Sequence, residues 1–213
     1  DGGVGFDTVS YLTSPQAVAV ELLTGQVSGG DAEGDALTGI EAVVGSQFDD
    51  VLTGSNIAGR LSGLEGEDEL NGGSEDDELF GGPGDDKLTG GAGADLLDGE
   101  GGDDDEANYS ASSAGVTIDL TPDMVTGMGT ATGGDAEGDR LTGIEKVIGS
   151  AFADVLRGTA GYQDLRGGAG NDHIYGGAGE DELTGGDGDD KLFANGSTDA
   201  GRASDQNGLD GGD

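Results

Sequence analysis

Five consecutive nine-residue segments, starting at Gly149, Gly158, Gly167, Gly176 and Gly185, repeat one template without a slip of frame. They read GSAFADVLR, GTAGYQDLR, GGAGNDHIY, GGAGEDELT and GGDGDDKLF. Six more run in phase over 45–98: GSQFDDVLT, GSNIAGRLS, GLEGEDELN, GGSEDDELF, GGPGDDKLT and GGAGADLLD. The shared template is G-G-x-G-x-D-x-U-x, with U a large aliphatic residue. A unit of this size is one turn and one short strand, too small to bury a face alone. Copies at a fixed period therefore have to stack, and the pattern predicts a repeat solenoid rather than an ordinary globular core.

Each position of the unit has a physical reason. Glycine at the first, second and fourth positions is expected to let the backbone take φ > 0 and turn sharply, baring carbonyls on one side. Aspartate at the sixth position adds a carboxylate, and the resulting all-oxygen shell suits a hard divalent cation. The last three residues, x-U-x, read as a short strand whose middle side chain points inward. That inward position holds Leu52, Leu61, Leu70, Leu79, Leu88 and Leu97 in one block, and Leu156, Leu165, Ile174, Leu183 and Leu192 in the other. None is polar. A generic acidic linker has no reason to keep an aliphatic residue two places after each aspartate, so phase argues against a merely solvated acidic run.

On these residues, 72–98 and 167–193 above all, the chain resembles the RTX, or haemolysin-type, calcium-binding repeat family. The resemblance implies an all-β fold, a parallel β-roll in which two nonapeptides make one coil and calcium sits between turns stacked two repeats apart. Carried over residue by residue, Asp50, Asp68, Asp86 and Asp104 would form one ladder, with Asp77 and Asp95 on the opposite edge. In the second block Asp154, Asp172 and Asp190 would form one ladder and Asp181 the other edge, and Asp7 belongs to an isolated repeat. The backbone carbonyls of Gly66, Gly73, Gly82, Gly84, Gly91, Gly93, Gly168, Gly170, Gly177, Gly179, Gly186 and Gly188 would complete sites for about six or more calcium ions. The pattern breaks at the start of each block, where Gly59 and Gln163 hold the aspartate position and Phe48 and Phe152 replace the fourth glycine. Calcium is in doubt at those turns.

Charge points the same way. With 45 Asp+Glu against 8 Lys+Arg, the net charge is -37. Carboxylates stacked roughly 5 Å apart repel by ~3 kcal/mol per pair at an effective dielectric of ~20. A cation between them reverses the sign, which predicts a chain that is disordered without calcium and a roll with it.

The chain reads as two tandem copies of a larger unit. The first covers 1–98: a repeat at 2–10, a β insert at 11–44 and six nonapeptides at 45–98. The second covers 99–193: a degenerate repeat at 99–107, a β insert at 108–148 and five nonapeptides at 149–193. An irregular segment, 194–213, leads toward a further repeat. Gly30-Asp31-Ala32-Glu33-Gly34-Asp35 recurs as Gly134-Asp135-Ala136-Glu137-Gly138-Asp139, and Leu37-Thr38-Gly39-Ile40-Glu41 recurs as Leu141-Thr142-Gly143-Ile144-Glu145. The inserts alternate apolar residues, Val18/Val20/Leu22 and Val116/Ile118/Leu120, as strands do, and are expected to extend the solenoid with less regular coils. Both ends fall within repeats, so the chain is expected to be an excerpt of a longer protein.

Other chemistries fit poorly. Asp31-Ala-Glu33-Gly-Asp35 has an EF-hand flavour but carries Ala36 and Ala42 where glycine and glutamate are needed, although Asp31, Asp35, Asp135 and Asp139 stay open as calcium contacts. A single histidine, His173, and 0 cysteines leave no His/Cys zinc site and no cysteine nucleophile. The lack of cysteine suits an extracellular protein stabilised by metal. No basic patch serves nucleic acid, no basic amphipathic helix serves a membrane, and no Gly-Lys-Ser/Thr serves phosphate. Arg60, Arg157 and Arg166 are thin support for a polysaccharide groove. The reading is a non-catalytic, calcium-binding module of a larger secreted bacterial protein, most simply an adhesin, surface-layer or matrix protein. Polysaccharide or neighbouring copies of itself are its candidate partners. The alternative is an accessory roll of a secreted alginate epimerase, lipase or metalloprotease, or of a pore-forming toxin.

Overall fold

The computed structural model describes residues 1–194 and the strand Arg202–Ser204. Apart from Ala194 and that strand, the segment expected to be irregular lies outside the described residues. Among the described residues there is no α-helix, only two single 3₁₀ turns at Gly30–Ala32 and Gly134–Ala136. No helix there is long and apolar enough to cross a membrane. The chain divides into one unit comprising 1–107 with 139–144, and a second comprising 108–138 with the residues from 145 onward.

In the first unit each repeat contributes one strand, and successive strands alternate between two parallel sheets. One sheet runs Thr8–Ser10, Ala42–Val44, Arg60–Ser62, Glu78–Pro83, Leu96–Gly101 and Arg140–Thr142. The other runs Ala19–Glu21, Val51–Ser55, Glu69–Ser74, Lys87–Ala92 and Glu106–Asn108. Leu61 therefore pairs with Leu79 and Leu79 with Leu97, while Leu52, Leu70 and Leu88 line up opposite. Two nonapeptides make one coil. Parallel pairing at ~4.8 Å places like residues over like residues, so one apolar position per repeat becomes a continuous stack.

The second unit repeats this plan. Thr117–Asp119, Val155–Arg157, His173–Gly177 and Lys191–Ala194 form one parallel run. Lys146–Ile148, Asp164–Ala169, Glu182–Asp187 and Arg202–Ser204 form the other.

The interior is what the phase of the repeats requires. Leu52, Leu70, Leu79, Leu88, Leu97, Leu156, Leu165, Ile174 and Leu183 are all 0% exposed and Leu61 is 2% exposed. At ~1.5–3 kcal/mol for each such side chain, this stack is the main apolar stabilisation. Leu192, on the last described coil, is the exception and is only half-buried.

The inserts extend the same stacks, as expected: Val20 lies in register with Leu52, Val43 with Leu61 and Ile118 with Leu156. Each insert also folds back as an antiparallel hairpin, Ala19–Glu21 with Gln26–Ser28 and Thr117–Asp119 with Gly129–Thr132. The alternation indicated strands but not their return. The two copies differ at one point. Arg140–Thr142 pairs with Leu96–Asp98, whereas the equivalent Ala36–Thr38 forms no strand.

Candidate metal centre

The aspartates form ladders through the backbone. One carboxylate oxygen, Oδ1, accepts a hydrogen bond from the N–H of the residue one coil earlier. Asp50 N–H donates to Asp68 at 2.7 Å, Asp68 N–H to Asp86 at 2.8 Å and Asp86 N–H to Asp105 at 2.8 Å. On the opposite edge Gly59 N–H donates to Asp77 at 2.7 Å, Asp77 N–H to Asp95 at 2.8 Å and Asp95 N–H to Asp139 at 2.8 Å. In the second unit Asp154 N–H donates to Asp172 at 2.8 Å, Asp172 N–H to Asp190 at 2.9 Å and Gln163 N–H to Asp181 at 3.2 Å. The ladders expected from the repeat phase are thus brought together, with two changes.

Asp105, not Asp104, holds the rung after Asp86. The degenerate stretch carries one extra residue, so the step is 19 rather than 18. Ala107 then takes the inward position opposite Leu88, two places after Asp105. Asp139 joins the ladder of Asp77 and Asp95 from within the conserved insert segment, and it is 1% exposed. The signal for it was in the sequence: Asp139-Arg140-Leu141 is the D-x-U tail of a repeat without its glycines. Of the other acidic residues in that segment, Asp35 accepts from the Tyr11 hydroxyl at 3.1 Å, while the Asp31 and Asp135 N–H groups donate to Ser14 and Ser112, each at 3.0 Å.

The second carboxylate oxygen, Oδ2, is the telling atom. In Asp7, Asp68, Asp77, Asp86, Asp95, Asp172 and Asp190 it is buried with no hydrogen-bond partner. Buried carboxylate oxygens are normally satisfied, because leaving one bare costs several kcal/mol. Burial, partly offset by the ladder N–H and reinforced by neighbouring carboxylates, pushes the Asp68 carboxyl up to about 7. Burial likewise raises Asp77, Asp86, Asp95 and Asp172 to about 6.

Glycine frames this oxygen in two ways. All twelve glycines assigned carbonyl roles, at the second and fourth positions, do have positive φ, from 96° at Gly91 to 153° at Gly93. The first-position glycines do not. Gly63, Gly81, Gly90, Gly167 and Gly185 are required for space instead, since a Cβ there would collide with the Oδ2 of the same repeat's aspartate. Successive turns also approach closely: a Cβ on Gly84 would strike the Gly66 carbonyl oxygen, and one on Gly188 that of Gly170. Gly84→Ala is expected to cost ~2 kcal/mol or more, because the clash adds to an unfavourable φ of 145°. Gly101→Ala, where an added Cβ meets nothing within 4 Å, serves as the control in calcium-loaded thermal melts.

Among the described residues no three His, Cys, Asp or Glu side chains converge. A cation here would draw on one or two carboxylates and on backbone carbonyls. That donor set is oxygen-only and fits calcium. The RTX calcium-binding nonapeptide repeat, in its four-copy form, matches residues 58–88, 71–105 and 163–199. The chain is an RTX repeat protein. Its β-roll is a calcium-binding structural module, and the matched stretches contain the bare aspartates Asp68 to Asp95, Asp172 and Asp190. No curated protein matches the chain.

Elsewhere on the RTX roll, the basic side chains weighed for a polysaccharide groove are engaged locally. Arg60 lies 4.3 Å from the Phe80 ring centre, and Arg166 donates to Asp164 at 2.6 Å. Tyr175 stands in register between Arg157, at 4.5 Å, and Phe193, at 4.7 Å. His173 sits beside the Lys191 ammonium at 3.0 Å, on the outer side of its strand as expected.

Proposed function

We propose that this chain is the calcium-dependent roll of a larger secreted bacterial protein, a spacer or contact element of an adhesin, surface layer or extracellular matrix. Asp68, Asp77, Asp86, Asp95, Asp172 and Asp190 hold the ions, with Asp7, Asp105, Asp139 and Asp181 in equivalent ladder positions. Second- and fourth-position glycine carbonyls complete the shells. Bound calcium supplies the positive charge that each ladder lacks. The observation that carries this reading is the row of buried, unpartnered Oδ2 atoms repeated at the same place in successive coils.

Location follows from affinity. Sites with few carboxylates and carbonyls for the remainder belong to the regime of extracellular modules, with a Kd of ~10⁻⁴–10⁻³ M. Such a roll stays open in a cell interior and closes outside, where the ion is abundant. The tandem duplication of insert and roll suits a long repetitive parent. Isothermal titration with calcium is expected to give several sites in that range, and affinities tighter than ~10⁻⁶ M would argue for a cytosolic sensor or buffer instead. The calcium-loaded chain is expected to turn over no ester, peptide or alginate substrate. Turnover abolished by one substitution in an insert would move the function there.

A further inference from the structure

The aspartates at the start of each block are built differently from the rest. Asp50 accepts from Val18 N–H at 2.7 Å, from the Ser46 hydroxyl at 2.8 Å and from the Ser46 N–H. Asp154 does the same with Val116 N–H at 2.6 Å, the Ser150 hydroxyl at 2.8 Å and the Ser150 N–H at 2.6 Å. Neither has a bare oxygen. In the next repeat, Gln163 stands where aspartate is expected. Its Oε1 accepts from Thr159 N–H and its Nε2 donates to the Thr159 hydroxyl, both at 2.9 Å.

The common element is the second position of the repeat. It is Ser46, Ser55, Ser150 and Thr159 in the first two repeats of each block, and glycine or Leu64 in every later one. Where a hydroxyl stands, the sixth position is a satisfied aspartate, a glutamine or Gly59. Where it is glycine or Leu64, the sixth-position aspartate of all but one repeat keeps a buried bare oxygen, the exception being Asp181. The backbone changes too. None of the four hydroxyl residues, nor Phe48, Ile57, Phe152 or Gly161 at the fourth position, has positive φ, so these turns do not present their carbonyls as the glycine turns do.

We infer that the first complete coil of each block takes no calcium, and that the second-position hydroxyl is the residue that decides it. The Ser46 and Ser150 hydroxyls and N–H groups supply to Asp50 and Asp154 the positive partners that a cation supplies elsewhere. Each junction between insert and roll is then closed by hydrogen bonds alone, and calcium-filled coils stack onto it. This reverses the assignment of Asp50 and Asp154 as ligands, and it rests on the calcium reading above. The matched repeats, which begin at residues 58 and 163, leave both aspartates out.

Equilibrium dialysis with radioactive calcium on the full chain tests this directly. The Asp50→Asn/Asp154→Asn variant is expected to bind as many ions as the parent, with a titration midpoint changed less than about twofold. Asp86→Asn/Asp172→Asn is expected to lose at least two ions. Should the first variant fail to fold, Ser46→Ala/Ser150→Ala removes only the hydroxyl donors, and its ion count is expected to be unchanged. Loss of an ion from either hydroxyl-rung variant overturns the inference. A parent chain that binds no calcium would instead overturn the calcium reading itself.

Discussion

Stripping calcium with a chelator at neutral pH is expected to abolish the strand signal in far-ultraviolet circular dichroism, and millimolar calcium is expected to restore it. With a Kd of ~10⁻⁴–10⁻³ M, ~10 mM calcium stabilises the roll by ~1.4–2.7 kcal/mol per site. Six sites together contribute ~8–16 kcal/mol, comparable to the whole stability of an ordinary domain. Without the ion, stacked carboxylates repel and their bare oxygens stay desolvated. Acid should substitute in part. A carboxyl raised by burial from 3.8 to about 6 or 7 contributes stability in full below about pH 3.8 and loses it as the pH rises through 6 to 7. In chelator, lowering the pH from 8 toward 4 is therefore expected to recover strand signal. A spectrum indifferent to calcium at neutral pH would sink the metal-dependent fold.

Asp172→Ala is expected to damage the roll far more than Asp7→Ala. Asp172 is 0% exposed and sits mid-ladder, accepting from Asp154 N–H and donating its own N–H to Asp190. Its removal leaves a buried N–H without an acceptor, at ~1–3 kcal/mol, and empties a cation site worth ~1.4–2.7 kcal/mol. The combined loss is ~3–5 kcal/mol, with a lower slope in calcium titrations as neighbouring coils uncouple. Asp7 also has a bare oxygen, but it belongs to the first coil of its unit, and its N–H donates to the Glu41 carboxylate at 2.8 Å. Less than half the effect is expected there. Equal losses in calcium-dependent thermal melts would argue against a stacked ladder.

How much was legible in the sequence depended on whether a residue's role is set within its own nonapeptide. Gly84 and Gly188 turn the chain, Leu79 and Ile174 point inward, and Asp68 and Asp172 face their neighbours. Each role follows from position within the unit, because a solenoid makes contacts only between adjacent coils and those neighbours repeat the same unit. The fold class, the two-repeat coil and most of the ladder were therefore readable from phase.

The tertiary structure decided what phase does not carry. One extra residue in the degenerate repeat moved the rung from Asp104 to Asp105, since stacking selects the aspartate two places before the buried Ala107. Asp139 reached the ladder across 44 residues from Asp95, a distance no nine-residue period spans. The first-position glycines were assigned to backbone turning, yet they serve to make room for a carboxylate, a steric requirement visible only once both atoms are placed. Whether an aspartate such as Asp50 needs an ion depended on which donors reach its second oxygen. One of those donors, the Val18 N–H, comes from an insert strand 32 residues away, and hydrogen-bond satisfaction is a property of neighbours in space rather than in sequence.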